Sequence, residues 1–110
     1  MTAACHWRGE WVTGGAKMPV IDPATGGVIA DIADASAAEA TAAVAAAHEA
    51  FQTWGQTAPR VRAELLRRAF EIMTSEIETC ARIISLENGK AWRDALGEAT
   101  YAAEFFRWFS

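Results

Sequence analysis

Tyr101, Phe105, Phe106, Trp108 and Phe109 crowd into the last ten residues of the chain at helical spacing. At ~100° per residue they fan over an arc of roughly 160°, wider than the apolar stripe of an ordinary surface helix. A helix of this kind needs cover on several sides. It also carries no terminating signal, because Ser110 follows the rings without a Gly, Asn or Pro stop. The pattern predicts that the chain continues into a longer one that buries the rings, or that another copy covers them. Two roles are open for the rings: domain core, or, for a subset, the wall of a substrate passage.

With 110 residues there is room for one small core. A hydrophobic content of 52% against 22% charged residues excludes a disordered or fibrous chain. The net charge of −4 offers no general attraction to phosphate backbones or anionic lipid, so neither nucleic acid nor membrane is an expected partner. Cys5 and Cys80 stand far apart and form no Cys-x-x-Cys pair, which suits a reducing compartment. The opening residues contain no long apolar run of the signal-peptide kind. A cytoplasmic location is the expectation.

Residues 1–35 read as β structure and residues 36–110 as about four helices, so the fold is expected to be mainly α with an N-terminal β-hairpin. Trp11-Val12, Pro19-Val20-Ile21 and Val28-Ile29-Ala30-Asp31-Ile32 are strand-like. Between the last two, Asp22-Pro23-Ala24-Thr25-Gly26-Gly27 supplies the Pro and Gly dihedrals of a hairpin connection. Ser36 and Glu39 form a capping box, after which Ala40, Val44, Ala47, Phe51 and Trp54 share one helical face up to Gly55. A second helix begins near Thr57 and Pro59 and turns Leu66, Ala69, Phe70 and Met73 inward. Ser75 with Glu78 suggests another capping box. It opens a third helix carrying Ile77, Ala81 and Ile84, stopped by Asn88-Gly89. The aromatic helix starts near Ala91.

Motifs that would carry chemistry are incomplete. His48-Glu49-Ala50-Phe51-Gln52 resembles the zinc-protease helix, but Gln52 replaces the second imidazole, so a solvated polar face is the reading. Gly89-Lys90 lacks both the first glycine and the Ser or Thr of a phosphate loop. Gly14-Gly15 and Gly26-Gly27 do not make the dinucleotide fingerprint. Cys80 has neither His6 nor His48 near in sequence and is expected to pack rather than react. Among the basic residues Arg60, Arg62, Arg67 and Arg68, Glu64 and Glu71 interleave at helical spacing, which predicts a solvated face of local ion pairs. No metal site is expected.

Several blocks resemble the aldehyde dehydrogenase superfamily. They are Gly9-Glu10-Trp11, then Ile21-Asp22-Pro23-Ala24-Thr25-Gly26 with Val28-Ile29-Ala30, then Ala43-Val44 through Trp54, Pro59 to Leu65, and Leu86-Glu87-Asn88-Gly89-Lys90. Gly97-Glu98 and the run from Tyr101 to Phe109 are most similar to the succinate-semialdehyde subgroup. Ala91 departs from the proline that commonly follows Gly-Lys in the family. The resemblance implies a piece of a Rossmann-type α/β fold, with no complete nucleotide-binding or catalytic domain. It implies an oxidoreductase parent that uses NAD or NADP through a covalent thiolate mechanism. In the family, the catalytic cysteine, the base and the nucleotide-binding residues lie beyond the position matching Ser110. No catalytic, cofactor-binding or metal residue can therefore be assigned here, no cofactor is expected on this chain, and the chain alone is expected to be inactive. The same resemblance implies that Tyr101, Phe105 and Trp108 line the substrate tunnel, and their shared helical face agrees with it.

Two other functional classes stay open at this level. One is a helical interaction module that docks or self-associates through Phe105, Phe106, Trp108 and Phe109, giving a homo-oligomer. The other is a self-standing helical protein with an unrelated binding role. The terminal helix discriminates: rings covered within the 110 residues favour a self-standing protein, and rings exposed or covered by another copy favour a piece of a larger enzyme.

Overall fold

The computed structural model describes the backbone of residues 2–3, 5–7 and 10–12 and all atoms of residues 15–110. The side chains of residues 1–14, Cys5 and His6 among them, lie outside the described residues, as do Gly9 and Gly14. The chain divides into two compact units, Met1–Ile21 with Gly26–Gln56, and Asp22–Thr25 with Thr57–Ser110.

In the first unit, β1 (Thr2–Ala3), β5 (Val28–Ala33) and β4 (Lys17–Ile21) make a sheet in that order. β4 and β5 form the expected hairpin, pairing antiparallel from Lys17 opposite Ala33 to Ile21 opposite Val28, with an irregularity between Val20 and Ile21. β1 joins β5 in parallel, a pairing that requires a crossover and has no short-range sequence signal. β2 (Cys5–Trp7) and β3 (Glu10–Val12) form a separate antiparallel pair that contains the strand expected at Trp11-Val12. The sheet structure is thus richer than one hairpin.

α1 (Ala37–Trp54) also belongs to this unit. Its capping box forms in full: the Ser36 hydroxyl accepts from the Glu39 N–H at 3.2 Å, and the Glu39 carboxylate accepts from the Ser36 N–H at 2.7 Å. Gly55 ends the helix, though with a right-handed φ of −60° rather than a positive one. Its lack of a side chain matters for space, since a Cβ there would sit 2.8 Å from the Phe51 carbonyl oxygen. The expected apolar face does not become a core: α1 buries no residue, and Val44, Phe51 and Trp54 are exposed.

The second unit is built from α2 (Pro59–Ser75), α3 (Ile77–Asn88) and α4 (Trp92–Trp108). α2 starts with Pro59 in its first turn, as expected, and its half-buried Leu66, Ala69, Phe70 and Met73 are the residues the periodicity turned inward. The expected Ser75–Glu78 box does not form. The Ser75 hydroxyl instead donates back to the Ile72 carbonyl at 2.8 Å, and α3 follows Glu76 as its N-cap residue, without a side-chain cap. A one-residue break between helices leaves no extended residue at the cap position, and that conformation is what a capping box requires. Gly89 closes α3 with φ +70° and its N–H donates to the Ser85 carbonyl at 2.9 Å.

The core of this unit is made of alanine. Ala81 of α3 and Ala95 of α4 have no exposed surface, and Ala99 and Ala103 retain 2%. Ile77, Cys80, Ile84 and Leu96 pack around them. Ala95, Ala99 and Ala103 recur every four residues and form one stripe, along which the small side chains let α4 lie close on its neighbours. Cys80 therefore has the packing role expected of it.

Candidate functional site

The alanine stripe fixes where the rings of α4 go. Two residues further along a helix is about 200° further round it, so Tyr101 and Phe105, each two after a buried alanine, point away from the core. Tyr101 is 66%, Phe105 48%, Trp108 76% and Phe109 66% exposed. The reading of these rings as the domain core therefore fails within this chain, because alanines occupy the inward face. Phe106 alone of the set is half-buried.

Tyr101, Phe105 and Trp108 do share one face, as their spacing required. With Glu104 they line an open hollow of about 290 Å³. The Tyr101 and Phe105 rings meet edge to face, centroids 4.9 Å apart and planes at 79°. A smaller hollow of about 150 Å³ lies beside it, lined by Leu66 of α2 with Phe105, Phe106 and Phe109. The two hollows share Phe105. A third, on the outer face of α2, is lined by Arg60, Val61, Glu64 and Leu65.

The charges around the rings are paired. The Glu104 carboxylate accepts from the Arg107 guanidinium at 2.6 Å, which holds its carboxyl below the usual range and raises the guanidinium. The i, i+3 spacing of Glu104 and Arg107 is the sequence signal of such a pair. Lys90 reaches across the start of α4 to pair with Glu98, so the lysine of the Gly89-Lys90 motif serves the α3–α4 connection rather than a phosphate. On α2, Arg67 binds Glu64 through two hydrogen bonds of 2.9 and 2.6 Å and also pairs with Glu71, the local network read from the sequence. His48 and Gln52 are exposed on α1, and no group of three metal-ligating side chains comes together among the described residues.

A family model for the aldehyde dehydrogenase family matches residues 11–110. The chain belongs to the aldehyde dehydrogenase family. It is 42% identical over 102 residues to the human mitochondrial succinate-semialdehyde dehydrogenase, covering 93% of this chain and 19% of that one. The crystal structure of succinate-semialdehyde dehydrogenase from Burkholderia pseudomallei superimposes with a TM-score of 0.88 at 34% identity, over 94% of this chain and 22% of that chain. The structure of PnpE in complex with nicotinamide adenine dinucleotide superimposes at 0.90 with 32% identity, over 98% of this chain and 23% of that one. The fold is thus a portion of the aldehyde dehydrogenase fold, and the chain spans about a fifth of the length of these relatives.

Dinucleotide cofactors need a glycine-rich turn feeding a helix whose first N–H groups are free. In this dehydrogenase segment the first turn of α1 is filled by its own box, with the Glu39 carboxylate standing where a phosphate would approach. α2 and α4 follow Ala58 and Ala91 rather than a glycine-rich turn. The described residues do not fit such a cofactor. Cys80, the free thiol among the described residues, packs against the alanine core.

Proposed function

We propose that this chain is the N-terminal part of an NAD(P)-dependent aldehyde dehydrogenase that oxidises a small aldehyde of the succinate-semialdehyde kind to its acid. The similarity to succinate-semialdehyde dehydrogenases along nearly the whole chain carries this reading. The parent's nucleotide site, catalytic thiolate and general base belong to the rest of that enzyme, and the isolated chain is inactive. In the parent, Tyr101, Phe105 and Trp108 form part of the wall along which the aldehyde reaches the thiolate. Their contribution is shape and exclusion of water, because an apolar wall with an edge-to-face ring pair orients a short aldehyde without trapping its polar end. A cytoplasmic location goes with this reading, and fractionation of the source cells tests it against the mitochondrial location in the name of the human relative.

A chimera tests the assignment. Residues 11–110 replace the matching segment of the Burkholderia enzyme, and the product is assayed for reduction of NAD or NADP with succinic semialdehyde. Activity is expected, with Trp108→Ala raising KM for the semialdehyde more than it lowers kcat. A folded chimera that oxidises no aldehyde overturns the parentage, and kinetics unmoved by Trp108→Ala and Tyr101→Ala overturn the wall. The 110-residue chain with the same reagents should give no cofactor reduction.

A further inference from the structure

We propose that Arg107 decides which aldehydes the passage wall admits. Its guanidinium cancels the charge of Glu104, and the wall then accepts an aldehyde that itself carries a carboxylate, a role that rests on the wall and the substrate class proposed above. Glu104 is the charged residue of the larger hollow, whose other lining residues are Tyr101, Phe105 and Trp108. Nε of Arg107 donates to Oε2 of Glu104 at 2.6 Å, and Nη2 stands 2.6 Å from the same oxygen. Without that partner the carboxylate would face a short anion, since an aldehyde of the succinate-semialdehyde kind bears a like charge at its far end. At about 7 Å two carboxylates repel enough to lower occupancy ~threefold in water and roughly fiftyfold at the effective dielectric near a protein surface. A passage enclosed by the rest of the enzyme lies nearer the second figure.

The carboxylate on the other side of Tyr101 is neutralised too. Glu98 precedes Tyr101 on α4 by three residues, as Glu104 follows it by three, so both lie within a turn of the ring. Lys90 reaches from the α3–α4 connection to pair with Glu98. The chain has 14 acidic residues against 10 basic ones, so cations are the scarcer partner, yet both of these carboxylates hold one. Fold stability does not account for the Arg107 pair, because an i, i+3 ion pair with both side chains about half exposed contributes little. Arg107 has two donors at Glu104 and is not among the residues lining the hollow, so it acts through that carboxylate rather than on the substrate.

The chimera carrying residues 11–110 tests this with two aldehydes of equal carbon count, succinic semialdehyde and the uncharged butanal. Arg107→Gln should raise the ratio of KM for the semialdehyde to KM for butanal at least ~threefold. Adding Glu104→Gln should bring the ratio back to within about twofold of the unmodified chimera, and Arg107→Lys, which keeps the charge, should hold it there. In the Arg107→Gln chimera, added salt should lower the semialdehyde KM by screening the bare carboxylate, a response that a loss of packing would not give. A ratio that Arg107→Gln leaves within ~twofold, or that Glu104→Gln fails to restore, overturns the proposal. Should Arg107→Gln lose helicity, Arg107→Met replaces it under the same criteria. If the unmodified chimera oxidises no aldehyde the parentage fails, if Trp108→Ala leaves its kinetics unmoved the wall fails, and in either case the role of Arg107 falls with it.

Discussion

Ala99→Leu should unfold this chain more readily than its conservative appearance suggests. Ala99 is 2% exposed and lies in contact with Ala81 and Ala95, which have no exposed surface at all. A leucine adds three carbons at a site closed by α3 on one side and flanked along its own helix by Ala95 and Ala103. Helix propensity is nearly the same for Ala and Leu, so it contributes little. Hydrophobic transfer would favour leucine if there were room. With no room, α4 must lift from α3 or the new side chain must leave its rotamer, at a cost of about 1–3 kcal/mol. We expect ~2 kcal/mol, or a fall in Tm of roughly 8–16 °C for a domain of this size. The assay is urea and thermal unfolding followed by far-ultraviolet circular dichroism, at one protein concentration because association would shift the midpoint. Thr100→Leu, one residue away on the exposed side, is the control and should change stability by no more than ~0.5 kcal/mol. Equal midpoints for Ala99→Leu and the wild type would refute the close-packed alanine stripe, and an equally damaging Thr100→Leu would refute its direction.

Gly89→Ala should also destabilise the chain, because φ is +70° and a Cβ would stand 2.9 Å from Cγ of Pro23. The left-handed conformation alone costs about 1–2 kcal/mol, and combining the change with Pro23→Ala should restore part of the loss in a double-mutant cycle of denaturation midpoints. Ser36→Ala should cost about 1 kcal/mol of stability by removing the α1 cap. Its pH signature is separate: the Ser36 hydrogen bonds hold the Glu39 carboxyl below its ordinary value of 4.5. This contribution is therefore fully present above 4.5 and is lost as pH falls through the lower folded value. Helical signal measured from pH 6 down to 3 (roughly the carboxylate range) should show a wild-type loss that Ser36→Ala makes smaller, and identical profiles would contradict the cap's electrostatic role.

Local chemistry was legible in the sequence wherever a few neighbouring residues decide the outcome. The Ser36–Glu39 box, the Pro59 start, the Gly89 stop and the hairpin turn are of this kind. In that turn Asp22 accepts from the Ala24 N–H at 2.8 Å and from the Thr25 hydroxyl at 3.0 Å. The pairing of β1 with β5 was not legible, because it joins residues far apart in sequence through backbone groups that any residue carries. The Ser75–Glu78 box failed for a different reason: the motif was present, but the helices on either side left it no extended residue.

The sequence left two roles open for the rings of α4, and the packing of the helix decides between them within this chain. The helix has two competing stripes, one of alanines at positions 95, 99 and 103 and one of rings at 101, 105 and 108. Only the alanine stripe is narrow enough to bring α3 and α4 together with no void, and choosing it forces the rings outward on the opposite side. A helix with two apolar faces must satisfy two neighbours. The close-packed one is in this chain, and the aromatic face stays exposed on it. The passage wall proposed above depends on that packing, and Ala99→Leu, which disturbs it from the inside, should raise KM for the semialdehyde in the chimera as well as lower stability.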